Sequence, residues 1–363
     1  MDKEPNNILF VVDNLLPGGT TKHIINLHSE LSKRNKNIYI AAFNSNSILI
    51  DKNKLIQIPL FNSNGKKSLL GFLWSIIILV KFIKNQKIEI IHSHKRYSDL
   101  LSRIVSRITF IPHLSTCHSI FNKRSLLSPF GDFTIATGSS SSKILQNVFH
   151  KKRDKIEIIK NILFDDEDII ISKRKLKLTS SNNFCWIGYS SPDKNLELLF
   201  QSLNYLVENF KISNFTCYLK VLNTDIEFVQ KQIAKLKLIK YINLVNDDTS
   251  SLELFKSVSF GILTSKSEGG SPPYVILEAA KFKKPYISTN INDIPEFIVH
   301  NKNGLLTSLN HIELAENIKL LLDNNNLSKK LGIEAFKTFI KHQNNNLMIE
   351  KTLKIYNRII NAK

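Results

Sequence analysis

The sequence predicts an α/β protein with parallel, doubly wound sheets, and three observations carry that prediction. Short unbroken apolar runs, such as residues 8–12 (ILFVV) and 260–264 (FGILT), read as strands buried on both faces. Each run meets a loop rich in Gly, Ser, Pro or Asn, and the loops lead into segments whose apolar residues recur at helical spacing. This alternation continues along 363 residues, enough for two domains with separate cores.

The first strand, 8–12, runs through Gly18-Gly19 into a helix over residues 22–34. Strands at 38–43 and near 55–59 come next, then a helix over 71–84. Its apolar stretch (GFLWSIIILV) is too short to span a bilayer and ends at Lys81, which predicts a buried or amphipathic helix. Residues 88–94 (IEIIHSH), 112–119 (PHLSTCHS) and 133–136 (FTIA) are further strands, and the serines at 139–142 offer N-caps to the next helix. Residues 155–163 make the last strand of the first half, and the polar stretch 165–182 reads as a linker. The second half opens on 184–188 (FCWIG). It reaches, at 258–306, a strand, the loop Gly269-Gly270-Ser271-Pro272-Pro273, and a helix from Tyr274 that stops at Lys283-Lys284-Pro285. Helices over 312–322, 327–339 and 347–360 close the chain.

Composition narrows the function classes. Cys117, Cys185 and Cys217 are odd in number and widely spaced, so neither a disulfide framework nor a cysteine zinc site is suggested, and a reducing compartment is favoured. The start, MDKEPNNILF, enters a strand directly, so no secretory signal is expected and the cytoplasm is the expected location. The net charge of +19 is uneven: residues 1–163 hold 24 basic and 10 acidic side chains, residues 164–363 hold 26 and 21. That asymmetry suits an anionic membrane face or nucleic acid, while a composition rich in Lys and Asn accounts equally for the high pI. No aromatic-basic motif accompanies the charge, so nucleic acid is not an expected partner.

A loop at the carboxyl end of a parallel strand that opens a helix presents free N–H groups and a positive dipole end, the usual seat of a phosphate. Gly18-Gly19 is such a loop. It lacks the G-x-G-x-x-G spacing, so NAD binding is not supported. The second is the loop before Tyr274. There, residues 265–269 (SKSEG), Glu278-Ala279, the Pro285-x-Ile287-x-Thr289 run, Ile294-Pro295-Glu296 and Asn303-Gly304-Leu305 together resemble the donor site of family 4 glycosyltransferases.

The resemblance implies the GT-B fold: Rossmann-like domains over about 1–165 and 180–340, facing each other across a cleft, with a C-terminal helix (341–363) crossing back to the first. In that family two glutamates, normally seven residues apart, flank the nucleotide sugar. Glu268 would face the sugar and Glu278 would hold the ribose, with Gly269, Gly270 and Val275 lining the donor. Nine residues separate the two here, which lengthens the loop within Ser271-Pro272-Pro273. Without the family, Glu268 reads as a solvated loop carboxylate and Glu278 as a helix-dipole partner. Gly18 and Gly19 would bring amides to the donor diphosphate, or form a plain turn. IIHSH resembles the family's strand end, with His94 on the acceptor side or as a cap. His118, in Thr116-Cys117-His118, stands where the family has an active-site histidine that can hydrogen-bond a sugar hydroxyl.

Gly188 with Lys194 six residues on resembles the family's Gly-Arg-x-x-x-x-Lys, but Tyr189 replaces the arginine and so shifts the leaving-group charge onto Lys194. Lys194 also fits an ordinary helix-start lysine. Ile162 stands where the family has glycine, and the strand at 219–222 ends without glycines.

The resemblance implies retaining transfer from a nucleotide-diphosphate sugar, UDP-linked, to a glycan acceptor, either lipid-linked or in lipopolysaccharide or surface polysaccharide. The sugar would be a hexose or N-acetylhexosamine. No metal or cofactor is expected, because Lys194, loop amides and a helix dipole can stabilise the departing diphosphate. Lys66-Lys67 before the apolar helix implies peripheral attachment to the inner membrane face. The missing arginine and longer loop also fit a non-catalytic nucleotide-sugar-binding protein, and the architecture also fits a nucleotide-sugar epimerase.

Overall fold

The computed structural model describes residues 4–44, 51–61, 65–120, 123, 128–163, 182–222, 226–245 and 249–362. They form two compact units, Met1–Asn161 with Asn345–Lys363, and Ile162–Asn344. The expected linker at 165–182 lies outside the described residues except for Asn182.

Unit 1 is built on β1 (Asn7–Val12), β2 (Asn37–Ala42), β3 (Leu55–Gln57), β4 (Ile90–His94), β5 (His113–Cys117), β6 (Phe133–Ala136) and β7 (Ile156–Ile158), interleaved with α1 (Gly19–Lys33), α2 (Leu69–Asn85), α3 (Arg96–Thr109) and α4 (Ser139–Asn147). All neighbouring strands pair in parallel, in the order β3-β2-β1-β4-β5-β6-β7. Residues 8–12 of β1 have no exposed surface, which is why that strand is apolar without alternation. Where a strand over 155–163 was expected, only three residues pair as a strand, although Ile159 N–H still donates to Ala136 O at 3.0 Å.

Two helix starts differ from expectation. α1 begins at Gly19, because Gly18 (φ 148°, ψ 175°) takes a cap conformation that a side chain would disfavour. α4 is capped at Gly138 rather than at a serine; the Ser141 hydroxyl accepts from Gly138 N–H (3.1 Å) and donates to Gly138 O (2.9 Å). α2 starts from Ser68, whose Oγ accepts from Gly71 N–H at 3.0 Å. It buries Phe72, Ser75, Leu79 and Ile83, while Leu69, Leu70, Leu73, Trp74 and Ile77 are 50–75% exposed. It is therefore apolar on both faces, one packed and one open.

Unit 2 contains β8 (Asn183–Gly188), β9 (Thr216–Val221), β10 (Ile242–Leu244), β11 (Phe260–Leu263), β12 (Tyr286–Thr289) and β13 (Leu305–Thr307). Its helices are α5 (Leu196–Glu208), α6 (Ile226–Lys235), α7 (Ser251–Ser257), α8 (Tyr274–Lys281), α9 (His311–Asp323) and α10 (Asn325–His342). The sheet is parallel throughout, in the order β10-β9-β8-β11-β12-β13. Along β8, Phe184 and Trp186 join the core built with α5 and α9, while Cys185 and Ile187 join that of α7, α8 and α10. The last helix, α11 (Asn345–Asn361), belongs to unit 1 and packs on α1.

Counted from its own first strand, each sheet begins 3-2-1-4-5-6, the Rossmann order. The order in which strands are added reverses between the first and fourth strands, and ligands of such sheets bind outside the carboxyl ends at that point. In unit 1 that point lies between β1 and β4, in unit 2 between β8 and β11.

Candidate functional site

At the unit 2 switch point, β8 ends in Gly188, and Tyr189 leads on to the single turn Pro192–Lys194. β11 leads through Thr264 and Ser265 to Glu268. The Lys194 ammonium and the Glu268 carboxylate form an ion pair with side-chain exposures of 26% and 10%. Ser265 Oγ donates to the same carboxylate oxygen at 2.6 Å, and Glu268 N–H donates to Asn292 Oδ1 at 2.9 Å. Glu268 is thus no solvated loop carboxylate.

Buried polar contacts stitch the two loops together. Thr264 Oγ1 accepts from Trp186 Nε1 (3.0 Å) and donates to Lys194 O (2.8 Å), Lys266 N–H donates to Asp193 O (2.7 Å), and Thr289 Oγ1 donates to Ser265 O (2.6 Å). Tyr189 is half-buried, and desolvation raises its phenol pKa. Gly269 and Gly270 are partly exposed in the loop before α8, as is Val275 in that helix's first turn. Glu278 sits on the second turn of α8 with no exposed surface, a buried carboxylate rather than a partner at the helix end.

In unit 1, Gly18 and Gly19 open α1, and Thr21 Oγ1 donates to Leu16 O at 2.5 Å. The next turn carries His23, which is 2% exposed. Alternation along β4 places His92 and His94 on one face and Ser93 on the other. His94 Nδ1 lies 3.1 Å from His118 Nε2, their rings stacked at 30°. The His23 ring centroid is 4.8 Å from that of His118 and 5.7 Å from that of His94. His92 is tied through Nδ1 to Tyr356 Oη of α11 and through Nε2 to Thr116 Oγ1, both at 2.7 Å. Phe10 meets both strand histidines in edge-to-face contacts.

Burial pushes the His23 imidazole down to about 4. Desolvation, with neighbouring imidazoles and Lys95 adding, holds His94 and His118 well below the usual histidine range. All three are therefore neutral at pH 7, each with one donor and one acceptor nitrogen. Nearby, Lys95 Nζ donates to Asn14 Oδ1 at 2.8 Å, and Asp13 accepts from Ser98 N–H at 2.8 Å.

The structure thus brings Lys194 to Glu268 and His94 to His118. His23, Ser265 and Asn292 were not among the sequence candidates. His23 comes one turn after the Gly18-Gly19 cap, a position that faces the carboxyl edge of the sheet; Asn292 lies in the loop after β12, where the strand's end was the only signal.

Comparison with known proteins accords with this geometry. The family model "Glycosyltransferase Family 4" matches residues 17–163, and "Glycosyl transferases group 1" matches residues 167–338. Escherichia coli UDP-Gal:alpha-D-GlcNAc-diphosphoundecaprenol alpha-1,3-galactosyltransferase is 24% identical over 274 residues, 68% of this chain and 69% of that protein. A glycosyltransferase from Rickettsia africae superposes with a TM-score of 0.74 at 21% identity, covering 99% of this chain and 100% of the other. Anabaena HepE, solved with UDP-glucose, gives a TM-score of 0.76 at 18% identity, covering 96% and 99%. With two paired family models spanning both units and whole-chain likeness to solved glycosyltransferases, this chain belongs to the group 1 and family 4 glycosyltransferases and has their GT-B fold.

Proposed function

We propose that this glycosyltransferase binds a UDP-linked hexose or N-acetylhexosamine at the unit 2 switch point and transfers it, with retention, to a lipid-linked or surface-polysaccharide acceptor held by unit 1. The observation that carries the reading is the Lys194–Glu268 pair at the carboxyl ends of β8 and β11. An ammonium has three donors, so Lys194 can hold Glu268 and a diphosphate oxygen at once. In this reading, that cation and the N–H groups of the glycine loops stabilise the charge that develops as the diphosphate departs, without a metal. Glu268 faces the sugar, Glu278 holds the ribose hydroxyls, and Tyr189 and Val275 line the donor. His118, neutral and braced by His94, hydrogen-bonds a sugar hydroxyl.

Attachment to an anionic membrane face is supported by α2. Its open apolar stripe (Leu69, Leu70, Leu73, Trp74, Ile77) lies between exposed Lys66 and Lys67 at one end and Lys81 and Lys84 at the other. Each lysine near such a surface contributes about 1 kcal/mol, and tryptophan favours the interfacial layer. Among the described residues no helix is long and apolar enough to cross a membrane. The Escherichia coli relative's name includes a diphosphoundecaprenol-linked acceptor, which favours the same class here.

A thermal-shift screen against UDP-, GDP-, ADP- and CMP-sugars tests the donor, because a bound nucleotide stabilises by mass action. UDP-sugars are expected to raise Tm in the wild type and to lose that effect in Glu278→Ala. Stabilisation by another nucleotide class alone, or by none, overturns the donor assignment. Transfer to polyprenyl-diphosphate sugars in the presence of chelator, with the product anomer read by NMR, then tests reaction and stereochemistry. Tyr189 in the arginine position favours a second reading, a binding protein without turnover; stabilisation by the donor with no transfer to any acceptor would select it.

A further inference from the structure

The proposed reaction employs His118 with His94 behind it and leaves His23 without a task. Yet the three imidazoles converge from separate elements: His23 from α1, His94 from the end of β4, His118 from just past β5. One ring nitrogen of each lies within 4.8 Å of the other two. His94 Nδ1 and His118 Nε2 are 3.1 Å apart. Zinc bound tetrahedrally by nitrogens at about 2.0–2.1 Å needs ligand atoms roughly 3.3 Å from one another. One edge of the triangle is therefore already near ligand spacing, and the other two lie within 4.8 Å.

The chemistry of the set agrees with its geometry. A neutral imidazole has one ring nitrogen with a lone pair to give a metal. His94 Nε2 is buried and lacks a hydrogen-bond partner, so it can carry the ring proton and leave Nδ1 to a metal. Three imidazoles with a fourth position left to water is the ligand set of an open zinc site. Without carboxylates it disfavours magnesium, calcium and manganese, and suits zinc, cobalt, nickel and copper. Cys117 stays outside the group; its Sγ donates to Ser119 O at 3.3 Å, and burial pushes its thiol up to about 12.

We propose that His23, His94 and His118 form a binding site for one divalent ion of the zinc class. The binding does not depend on the transfer reaction. It is tested on the tag-free 363-residue chain after chelator treatment, by calorimetry with Zn²⁺ and by visible absorption with Co²⁺. One ion per chain, a four-coordinate cobalt spectrum, and binding weakened by about 10-fold or more in His23→Gln and in His94→Gln are expected. His150→Gln and His311→Gln, on other surfaces, should leave binding unchanged. Should the buried variants fail to fold, zinc K-edge absorption on the wild type counts the ligands, with three imidazoles expected. Absence of binding at micromolar ion, binding abolished by the His150 or His311 variants, or fewer than three imidazoles around the ion would overturn the proposal.

Discussion

Asp99→Asn isolates one buried charge and turns it into a measurable pH slope. Asp99 of α3 is 2% exposed, and Ser93 Oγ donates to its Oδ1. The same hydroxyl lies 2.6 Å from His113 Nε2. Desolvation, reinforced by the Asp13 charge and opposed by the Ser93 hydrogen bond, Lys151 and Arg96, pushes the Asp99 carboxyl up to about 8. A folded-state pKa raised from the ordinary value of 3.8 means that folding favours the protonated form. That contribution is full below pH 3.8 and is lost as the pH rises towards 8.

At a little over 1 kcal/mol per pH unit inside this window, wild-type unit 1 should lose about 2–3 kcal/mol between about pH 5 and pH 7 through Asp99 alone. Asparagine keeps the shape and an acceptor for Ser93 but does not titrate. The stability gap between variant and wild type should therefore shift by that amount in the variant's favour. The buried histidines slope the other way, because their depressed pKa values remove stability as the pH falls below 6.5. That slope is common to both proteins and cancels in the difference. Urea unfolding at about pH 5, 6 and 7, monitored by amide exchange in β4 and β5, reads unit 1 by itself. Parallel pH profiles for the two proteins would refute the assignment of a neutral Asp99.

Three further outcomes rest on the contacts described above. Lys194→Ala should slow transfer by about 100-fold or more, as expected for a preorganised cation at a developing charge; near-normal turnover in steady-state assays would assign the diphosphate to another group. Tyr356→Phe removes the buried hydrogen bond to His92 and should cost about 1–3 kcal/mol, seen as faster amide exchange in both α11 and β4; exchange confined to one of them would break the proposed link. Replacing Leu70 and Trp74 by serine should weaken co-sedimentation with anionic vesicles, and wild-type binding should fall with salt; equal partitioning onto neutral and anionic vesicles would point to an acceptor in solution.

The strands were legible because a parallel sheet covered on both faces demands unbroken apolar runs, as in β1 and β11. The open face of α2 was not, since residues 69–80 are apolar almost all round and periodicity cannot orient a helix that has two apolar sides. Lys194 and Glu268 were each visible by their neighbours in sequence, but as holders of separate roles. Their pairing across 74 residues depends on β8 and β11 lying side by side, a fact of strand order that no local pattern carries. Given that order, the loops after the first and fourth strands of each half must meet, which also sets Gly18 near the carboxyl end of His94's strand. The same rule brings the early turns of α1, and His23 with them, to that edge, but not to a partner. His23 comes from a helix, where a lone inward histidine looks like any other core residue until His94 and His118 are placed beside it by the sheet. The residue that completes the histidine cluster is thus the one whose meaning is wholly tertiary, and for that reason its substitution, more than that of His118, separates a metal site from a sugar-binding one.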